Sequence, residues 1–295
     1  MRRRIFILTA LAITGVGLGL FITRPDTVNT AEYENLIGDP TTGALVFAAT
    51  GCASCHANPE TKEGLGGGHA FATDFGTFYA PNISQHPIEG IGEWSLTEFA
   101  SAVVKGTSPE GAHYYPAFPY TSYSKMTAQD ITDLFAYLKT TQAEAIPSRL
   151  HSVGFPFNIR ASLGGWKLLF FGHDYVLDAG ADPVLNRGRY LVEVMGHCAE
   201  CHTPRNALGG VQRTAWLAGG PNPDGPGRIP NITPSEAGIG SWGDDALIEY
   251  FKTGFTPDFD VVGGSMASVQ ANLSKLPDED LAAIVAYLNS VQPLD

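Results

Sequence analysis

Apolar residues recur at helical spacing near the end of each half of this chain. The two sets are Ile131, Leu134, Phe135, Leu138 and Leu281, Ile284, Val285, Leu288. Both follow the i, i+3, i+4, i+7 pattern of an amphipathic helix. Thr127 and Asp130 provide a capping-box start for the first helix, and Pro277 suits the first turn of the second. With shorter helical runs at 45–49 and 190–195, the pattern predicts an all-α protein made of two similar units.

The longest apolar run lies at the start of the chain. Three arginines, Arg2 to Arg4, precede an uncharged stretch from Ile5 to Thr23. Nineteen helical residues reach ~28 Å, about the thickness of the hydrocarbon core of a bilayer. The run therefore predicts a transmembrane anchor, and a cleaved signal peptide is the alternative, although 18–24 contains no clear cleavage site. Both interpretations place the rest of the chain on the periplasmic side of a bacterial inner membrane, or free in the periplasm after cleavage.

The pattern divides the chain into four parts. We predict an anchor or signal segment at 1–30, a first domain at 31–146, a connector at 147–183 and a second domain at 184–295. The connector is rich in large apolar residues such as Phe155, Trp166 and Phe170. Since a flexible linker would be polar, the connector is expected to pack across both domains or against a partner.

Every cysteine belongs to one of two copies of a single motif. The copies read Cys52-Ala-Ser-Cys55-His56 and Cys198-Ala-Glu-Cys201-His202. C-x-x-C-H is the attachment signature for c-type haem. Two thiols on one helical turn can each form a thioether with the same porphyrin, and the adjacent histidine can then bind the iron. We therefore predict two covalently bound haem c groups, with His56 and His202 as iron ligands.

Other uses of paired cysteines fit less well. A thioredoxin-like redox pair needs a βαβ context, which the pattern lacks. A zinc site made of four thiolates needs no histidine directly after each pair.

The repeat extends beyond the two motifs, which start 146 residues apart. Each motif is followed by Pro-Asn-Ile, at 81–83 and 230–232, and then by Gly-Ile-Gly-x-Trp, at 90–94 and 238–242. Repetition at this distance indicates two copies of one small haem domain. The carbonyls of Pro81 and Pro230 are candidates to accept a hydrogen bond from the ligand histidines.

Met126 and Met266 are the candidates for the sixth iron ligands. Of the four methionines, Met1 starts the chain and Met195 lies close to the second motif, where a core role is expected. Met126 and Met266 each precede the last helix of a domain, and a thioether is a soft ligand that raises the reduction potential of haem. Core packing is the alternative for both, and His113 is the main alternative ligand for the first haem.

Charge restricts the partners. The 295 residues include 18 Lys and Arg against 30 Asp and Glu, which gives a net charge of −12. Such an acidic chain is not expected to bind nucleic acid, because phosphate binding needs cations. A negative surface would steer a basic protein partner instead. No paired carboxylates or nucleophile constellation points to an enzyme.

Several strings resemble one known family. The segments 113–120 (HYYPAFPY) and 201–210 (CHTPRNALGG), with the Pro-Asn-Ile and Gly-Ile-Gly-x-Trp repeats, are similar to the cytochrome c subunits of bacterial membrane-bound alcohol, gluconate, fructose and aldehyde dehydrogenases. The resemblance implies two tandem class I cytochrome c-like domains, Met126 and Met266 as axial ligands, and electron transfer from a dehydrogenase subunit or another redox protein. It departs in two respects. The well-known members carry three C-x-x-C-H motifs, and some carry methionine where this chain has Phe118.

The sequence thus predicts a periplasmic di-haem electron-transfer protein that passes electrons to the respiratory chain, with no catalytic residues of its own. The alternative is a di-haem redox enzyme of the peroxidase or thiosulfate-oxidising type. A peroxidase needs an open site at one iron, and the two candidate methionines argue against it.

Overall fold

Helices form the framework of the molecule, in the order that the periodicity predicts. The computed structural model describes residues 2–172, 174–222, 225 and 227–295. The helices of the first half are α1 (Arg2–Ile22), α2 (Pro40–Ala49), α3 (Cys52–His56), α4 (Leu96–Ala100), α5 (Tyr120–Tyr123) and α6 (Ala128–Leu138). Those of the second half are α7 (Ser162–Phe170), α8 (Pro183–Tyr190), α9 (Ala199–His202), α10 (Asp244–Thr253), α11 (Met266–Leu273) and α12 (Asp278–Ser290). One π-helical turn follows α4 and another follows α8, at Ser101–Lys105 and Leu191–Met195. Short 3-10 turns lie at Thr30–Glu32 and Arg213–Ala215.

The prediction of an all-α protein holds for this framework but misses short strands. The strands are β1 (Ala70–Thr73), β2 (Gly76–Tyr79), β3 (Ser152–Val153), β4 (Gly220–Pro221) and β5 (Arg228–Ile229). The first three form an antiparallel sheet in chain order, with Ala70 opposite Tyr79 and Gly76 opposite Val153. The last two form a separate antiparallel pair. Strands of two to four residues are too short for an alternating pattern to identify them.

The first and last helices of each domain cross at a glycine. A Cβ on Gly43 of α2 would collide with the carbonyl of Asp133 in α6. In the same way, a Cβ on Gly188 of α8 would collide with the carbonyl of Ala283 in α12. Only glycine lets the two backbones approach this closely. The internal repeat therefore includes the helix crossing that places each motif.

The predicted ends of the last helices are nearly correct. Thr127 caps α6, and its hydroxyl accepts a hydrogen bond from the backbone N–H of Asp130 at 3.1 Å. Pro277 is the residue before α12 and not its first residue. Asp130 also accepts a hydrogen bond from Tyr190 of the second domain, at 2.6 Å. The cap of α6 is therefore tied to the other domain.

One hydrophobic core runs through both domains. Val46 and Leu138 of the first domain belong to the same buried cluster as Val192 and Leu281 of the second. Val192 and Leu281 are fully buried. Because the apolar contacts are continuous, the two haem domains form one packed body.

The connector packs across both domains, as predicted. The Trp166 indole N–H donates to the carbonyl of Leu208 in the second domain at 2.9 Å. The neighbouring Lys167 ammonium donates to the carbonyls of Lys105 and Gly106 in the first domain, at 2.6 and 3.0 Å. One turn of α7 therefore bridges the two units.

The segment after α1 lies on the first domain. The backbone N–H of Val28 donates to the Ser101 hydroxyl at 3.2 Å, and Lys105 pairs with Asp26 at 3.1 Å. In the part of the chain that the structure describes, no helix is both long enough and apolar enough to cross a membrane. The predicted transmembrane anchor is therefore not supported.

Candidate haem sites

Each motif histidine is held by a proline carbonyl, as the sequence predicts. The Nδ1 atom of His56 lies 2.8 Å from the carbonyl oxygen of Pro81, and the Nδ1 atom of His202 lies 2.8 Å from that of Pro230. A carbonyl can only accept, so Nδ1 carries the proton and Nε2 is the nitrogen that can bind iron. Burial lowers the pKa of both histidines, which favours the neutral imidazole that a metal requires.

The asparagine after each proline anchors this carbonyl. Asn82 donates to the carbonyls of Glu144 and Ile146, at 2.7 and 2.9 Å. Asn231 donates to the carbonyl of Leu294 at 2.5 Å. Each asparagine thus ties the loop that bears the histidine's partner to the segment that ends its domain. The repeat of Pro-Asn-Ile marked both asparagines as residues of interest. Only the structure shows which carbonyls they bind.

The repeated glycines serve the same loops. A Cβ on Gly90 would collide with the carbonyl of Ser84, and a Cβ on Gly238 would collide with that of Thr233. The backbone N–H groups of Ile91 and Ile239, which follow these glycines, donate to the same two carbonyls at 2.9 Å each. Close backbone approach explains why glycine recurs at this point of the repeat.

The cysteines lie beside their histidines in a form suited to thioether attachment. Within the described chain the four form no disulfide. Burial raises the pKa of Cys52 to about 11 and that of Cys198 to about 12, so these thiols are neutral at pH 7. A neutral thiol is a poor nucleophile for disulfide exchange. The described residues contain no cluster of three or more His, Cys, Asp or Glu that could hold a metal ion by itself.

The two motif segments meet at the domain interface. His197, directly before Cys198, directs its Nε2 atom at the carbonyl of Thr50, two residues before Cys52, at 3.3 Å. The Tyr123 hydroxyl donates to the same carbonyl at 3.0 Å. Ser54, between the cysteines of the first motif, accepts a hydrogen bond from Asn272 of the second domain at 2.9 Å. The sequence does not predict this juxtaposition, because it depends on how the domains pack.

Glu200, inside the second motif, completes the interface. Its carboxylate accepts hydrogen bonds from the hydroxyls of Thr121 and Ser122 of the first domain, at 3.3 and 3.4 Å. It also pairs with Arg205 of its own domain. A carboxylate shared between domains in this way fixes the orientation of the second motif against the first.

A buried carboxyl supports the second motif from the other side. Glu193 lies in the π-helical turn before Cys198 and is 2% exposed. It accepts hydrogen bonds from the backbone N–H groups of Val176 and Leu177, at 2.8 and 3.1 Å, and from the Tyr287 hydroxyl at 2.9 Å. Burial, followed by the charge of Glu193, raises the pKa of Tyr287, so the phenol keeps the proton that it donates. A single charge within the apolar run 191–195 was the sequence signal for this network.

The two candidate methionines do not occupy matching positions. Met126 is buried and lies directly before Thr127, the cap of α6. The equivalent residue before Pro277 is Leu276, which is also buried. Met266 instead begins α11, a helix earlier. Met126 and Met266 therefore lie at different distances from the last helix of their domains, and their assignment as ligands stays a prediction.

His113, the alternative ligand, has its Nε2 atom engaged elsewhere. That atom lies 2.8 Å from the carbonyl oxygen of Thr23 in the segment that follows α1. The side chain is buried, and burial lowers the pKa of His113. The structure thus uses His113 to attach the N-terminal segment to the first domain.

The residues present fit two haem c groups. Each site has two thiols on a motif turn beside a neutral imidazole oriented through Nδ1, within a small helical domain. This combination defines a class of protein, the c-type cytochromes with two haems in one chain.

Comparison with known proteins identifies the family. The cytochrome c family model matches residues 40–142 and again 186–292, and the chain belongs to the cytochrome c family. It is 48% identical over 299 residues to a diheme cytochrome c-type protein of Cereibacter sphaeroides, with both chains covered completely. It is 42% identical over 253 residues to the fructose dehydrogenase cytochrome subunit of Gluconobacter japonicus, which covers 84% of this chain and 52% of that one. The gluconate 2-dehydrogenase cytochrome c subunit of Pantoea cypripedii is 32% identical over 284 residues, 91% of this chain and 64% of that one.

These relatives confirm the predicted cofactor and class. The chain carries two covalently bound haem c groups and is an electron-transfer cytochrome, not a catalytic enzyme. The alternative of a di-haem peroxidase or thiosulfate-oxidising enzyme finds no support among them. The chain spans about half the length of the fructose dehydrogenase subunit, so that protein's own activity does not transfer directly to this one.

Proposed function

We propose that this cytochrome carries electrons from a dehydrogenase subunit or a soluble carrier to an acceptor of the respiratory chain, on the periplasmic side of a bacterial inner membrane. The observation that carries the proposal is the contact between the motif segments. Thr50 and His197 meet at 3.3 Å, and Ser54 and Asn272 at 2.9 Å. This packing places two haem-attachment segments side by side in one rigid body. The relatives named as dehydrogenase cytochrome subunits support a dehydrogenase as donor.

The role of the protein is to position the two haem groups and to tune their reduction potentials. Bound haem supplies a one-electron couple at its iron. His56 and His202 would each bind one haem iron through Nε2, with their orientation fixed by Pro81 and Pro230. The apolar residues around a bound haem would influence its reduction potential.

Met266 and Met126 are the proposed sixth ligands of the second and the first haem. Met126 is the one methionine between residues 31 and 146. It is favoured over His113, whose Nε2 atom is bound to the carbonyl of Thr23. A thioether ligand would raise the potential of the haem iron, which suits an electron carrier.

Leucine substitutions test this assignment. Met126→Leu and Met266→Leu nearly conserve side-chain volume but remove sulfur. Each is expected to abolish the sulfur-to-iron charge-transfer absorption of one haem and to lower the potential of that haem alone. Visible spectra and redox titration measure both effects. Met195→Leu is the control, because Met195 is buried beside the second motif and both spectra should persist. An unchanged spectrum in Met126→Leu, together with an altered one in His113→Gln, would assign the first haem to His113.

Charge supports a basic partner for this function. With a net charge of −12, attraction should accelerate encounter at low salt. Raising the ionic strength from about 0.01 M to about 0.1 M shortens the screening length from ~30 Å to ~10 Å. We expect the bimolecular rate of reduction by a basic donor to fall about tenfold, as measured by stopped-flow spectroscopy. A rate that stays constant over this range would contradict electrostatic steering.

The periplasmic location has its own test. Arginines at 2–4 ahead of an apolar run are typical of segments that keep their N-terminus in the cytoplasm. Fractionation of intact cells, with haem-stained gels, should detect the protein in the periplasmic or the periplasm-facing membrane fraction. Recovery of the haem protein from the cytoplasm alone would contradict the proposal.

A further inference from the structure

Two loops at equivalent places in the domains share one backbone design. We define the first-domain loop as residues 106–114 and the second-domain loop as residues 254–262. Each follows the helix after the Gly-Ile-Gly-x-Trp segment. Tyr114 N–H donates to the carbonyl of Gly106 at 2.8 Å, and Val262 N–H donates to that of Gly254 at 2.8 Å. Both glycines have positive φ, 59° and 80°.

The equivalence continues inside the loops. Isolated β-bridges pair Thr107 with His113 and, correspondingly, Phe255 with Val261. Within these bridges, Ser108 N–H donates to the carbonyl of Ala112 at 2.8 Å, and Thr256 N–H donates to that of Asp260 at 2.9 Å. Each residue of one loop therefore has a structural counterpart 148 positions away.

The first-domain loop is covered by other parts of the chain. Thr107 and His113 are 1% and 4% exposed. The His113 Nε2 atom meets the carbonyl of Thr23 from the N-terminal segment, and Lys167 of α7 donates to the carbonyl of Gly106. The N-terminal segment and the connector thus cover the Thr107–His113 bridge of this loop, whereas Glu110 and Gly111 at its tip are exposed.

The second-domain loop is uncovered and apolar. Phe255 and Val261, the counterparts of Thr107 and His113, are 51% and 61% exposed. Polar residues therefore occupy the covered positions, and apolar residues occupy the exposed ones. This is the reverse of the arrangement that solvation alone would favour.

Phe259, at the tip of the second-domain loop, is a further apolar residue at an exposed position. Its φ is 61°, and its counterpart in the first-domain loop is Gly111, with a φ of 75°. The left-handed region suits glycine and is unfavourable for a residue with a bulky side chain. Nevertheless, this position carries a phenyl ring that is 89% exposed. Packing within the chain does not explain an aromatic residue at such a site.

We infer that the second-domain loop is a docking surface for a redox partner protein whose contact face is apolar at the centre and basic around it. The apolar centre would meet Phe255, Phe259 and Val261, and the basic rim would meet Asp258 and Asp260, which flank Phe259. A second copy of this chain fits less well, because it would bring the same net charge of −12. The inference rests on the proposed function and adds where the partner binds.

The loop also lies close to the proposed ligand of the second haem. Met266 follows Val262 after three residues and begins α11. Gln270 of α11 donates to the carbonyl of Phe251 in α10 at 3.0 Å, so the helices on either side of the loop are joined. A partner on the loop would therefore dock against the second haem domain, and the first domain would remain available to the other redox partner.

The inference is tested by giving the second-domain loop the residues that the first-domain loop has at the equivalent positions. Phe259→Gly restores the residue that the covered loop has at this φ, so the fold should be retained. The probe is a lysine-rich class I cytochrome c at low salt, and the readout is the dissociation constant from titration calorimetry. We expect Phe259→Gly to weaken binding about tenfold and Phe259→Gly with Phe255→Thr to weaken it further. Ile88→Ser is the control, since it removes an equally exposed apolar residue (83%) from the first domain and should change binding less than twofold.

The outcomes separate this inference from the proposed function. Unchanged binding in the double variant would overturn the docking surface, even if electron exchange with the probe remains fast. A wild-type chain that dimerises through this loop, with Phe259→Gly monomeric, would replace the partner by a second copy. Failure of the wild type to show two reversible one-electron steps in a titration with small-molecule mediators would refute the proposed function, whatever the binding result.

Discussion

Replacing Cys52 and Cys55 with serine is expected to reduce the covalently bound haem from two groups to one. The thioethers at the first motif need both sulfurs, whereas the second motif has its own cysteines, histidine and proline carbonyl. Intact-protein mass spectrometry should therefore lose the mass of one haem. The corresponding substitution of Cys198 and Cys201 should have the same effect, and the fourfold variant should carry no haem.

A control within the same motif sharpens this experiment. Ser54 lies between the two cysteines and accepts a hydrogen bond from Asn272. Ser54→Ala removes that bond and keeps both sulfurs, so it should retain two haems. If the double cysteine variant also retained two covalent haems, the attachment sites would have to lie elsewhere.

The second large effect is expected from the buried carboxyl of Glu193. Glu193→Leu should lower the free energy of unfolding by at least about 3 kcal/mol. It leaves the N–H groups of Val176 and Leu177 and the hydroxyl of Tyr287 without their acceptor, and each unsatisfied buried group costs about 1–3 kcal/mol. Denaturant titration of the haem-loaded protein, followed by circular dichroism, measures the loss.

Glu193→Gln is the matched variant for this prediction. Its amide oxygen still accepts one hydrogen bond, so it should cost clearly less than Glu193→Leu. Tyr287→Phe should cost about 1–2 kcal/mol, because it removes one donor to Glu193 and the acceptor of the Trp216 indole. Equal stability of Glu193→Leu and the wild type would show that the network contributes nothing to the fold.

The features that the sequence predicted correctly are those that repeat or that lie close together in the chain. The periodicity of 131–138 and 281–288 located the last helices, and the repeated motif indicated two haem c groups. The proline carbonyls were also predicted, because the same tripeptide follows both motifs. Such signals are local, and a single sequence displays them.

The features that the sequence did not predict depend on packing between distant segments. The contacts of His197 with Thr50 and of Glu200 with Ser122 join residues that are far apart in the chain, and no pattern links them. The sequence pattern did not show that Met126 and Met266 differ in position, because α11 lies between Met266 and the last helix, whereas α5 ends before Met126. The strands were missed because two to four residues are too few to display a clear alternating pattern.

The shared interface has a consequence for how electrons move through the molecule. Because Thr50, Ser54 and Glu200 hold the motif segments against each other, the separation of the two redox centres is set once, when the chain folds. The step between them is then intramolecular, with an effective concentration that dilution, viscosity and crowding leave unchanged. Only the encounters at the two ends of the route remain subject to diffusion.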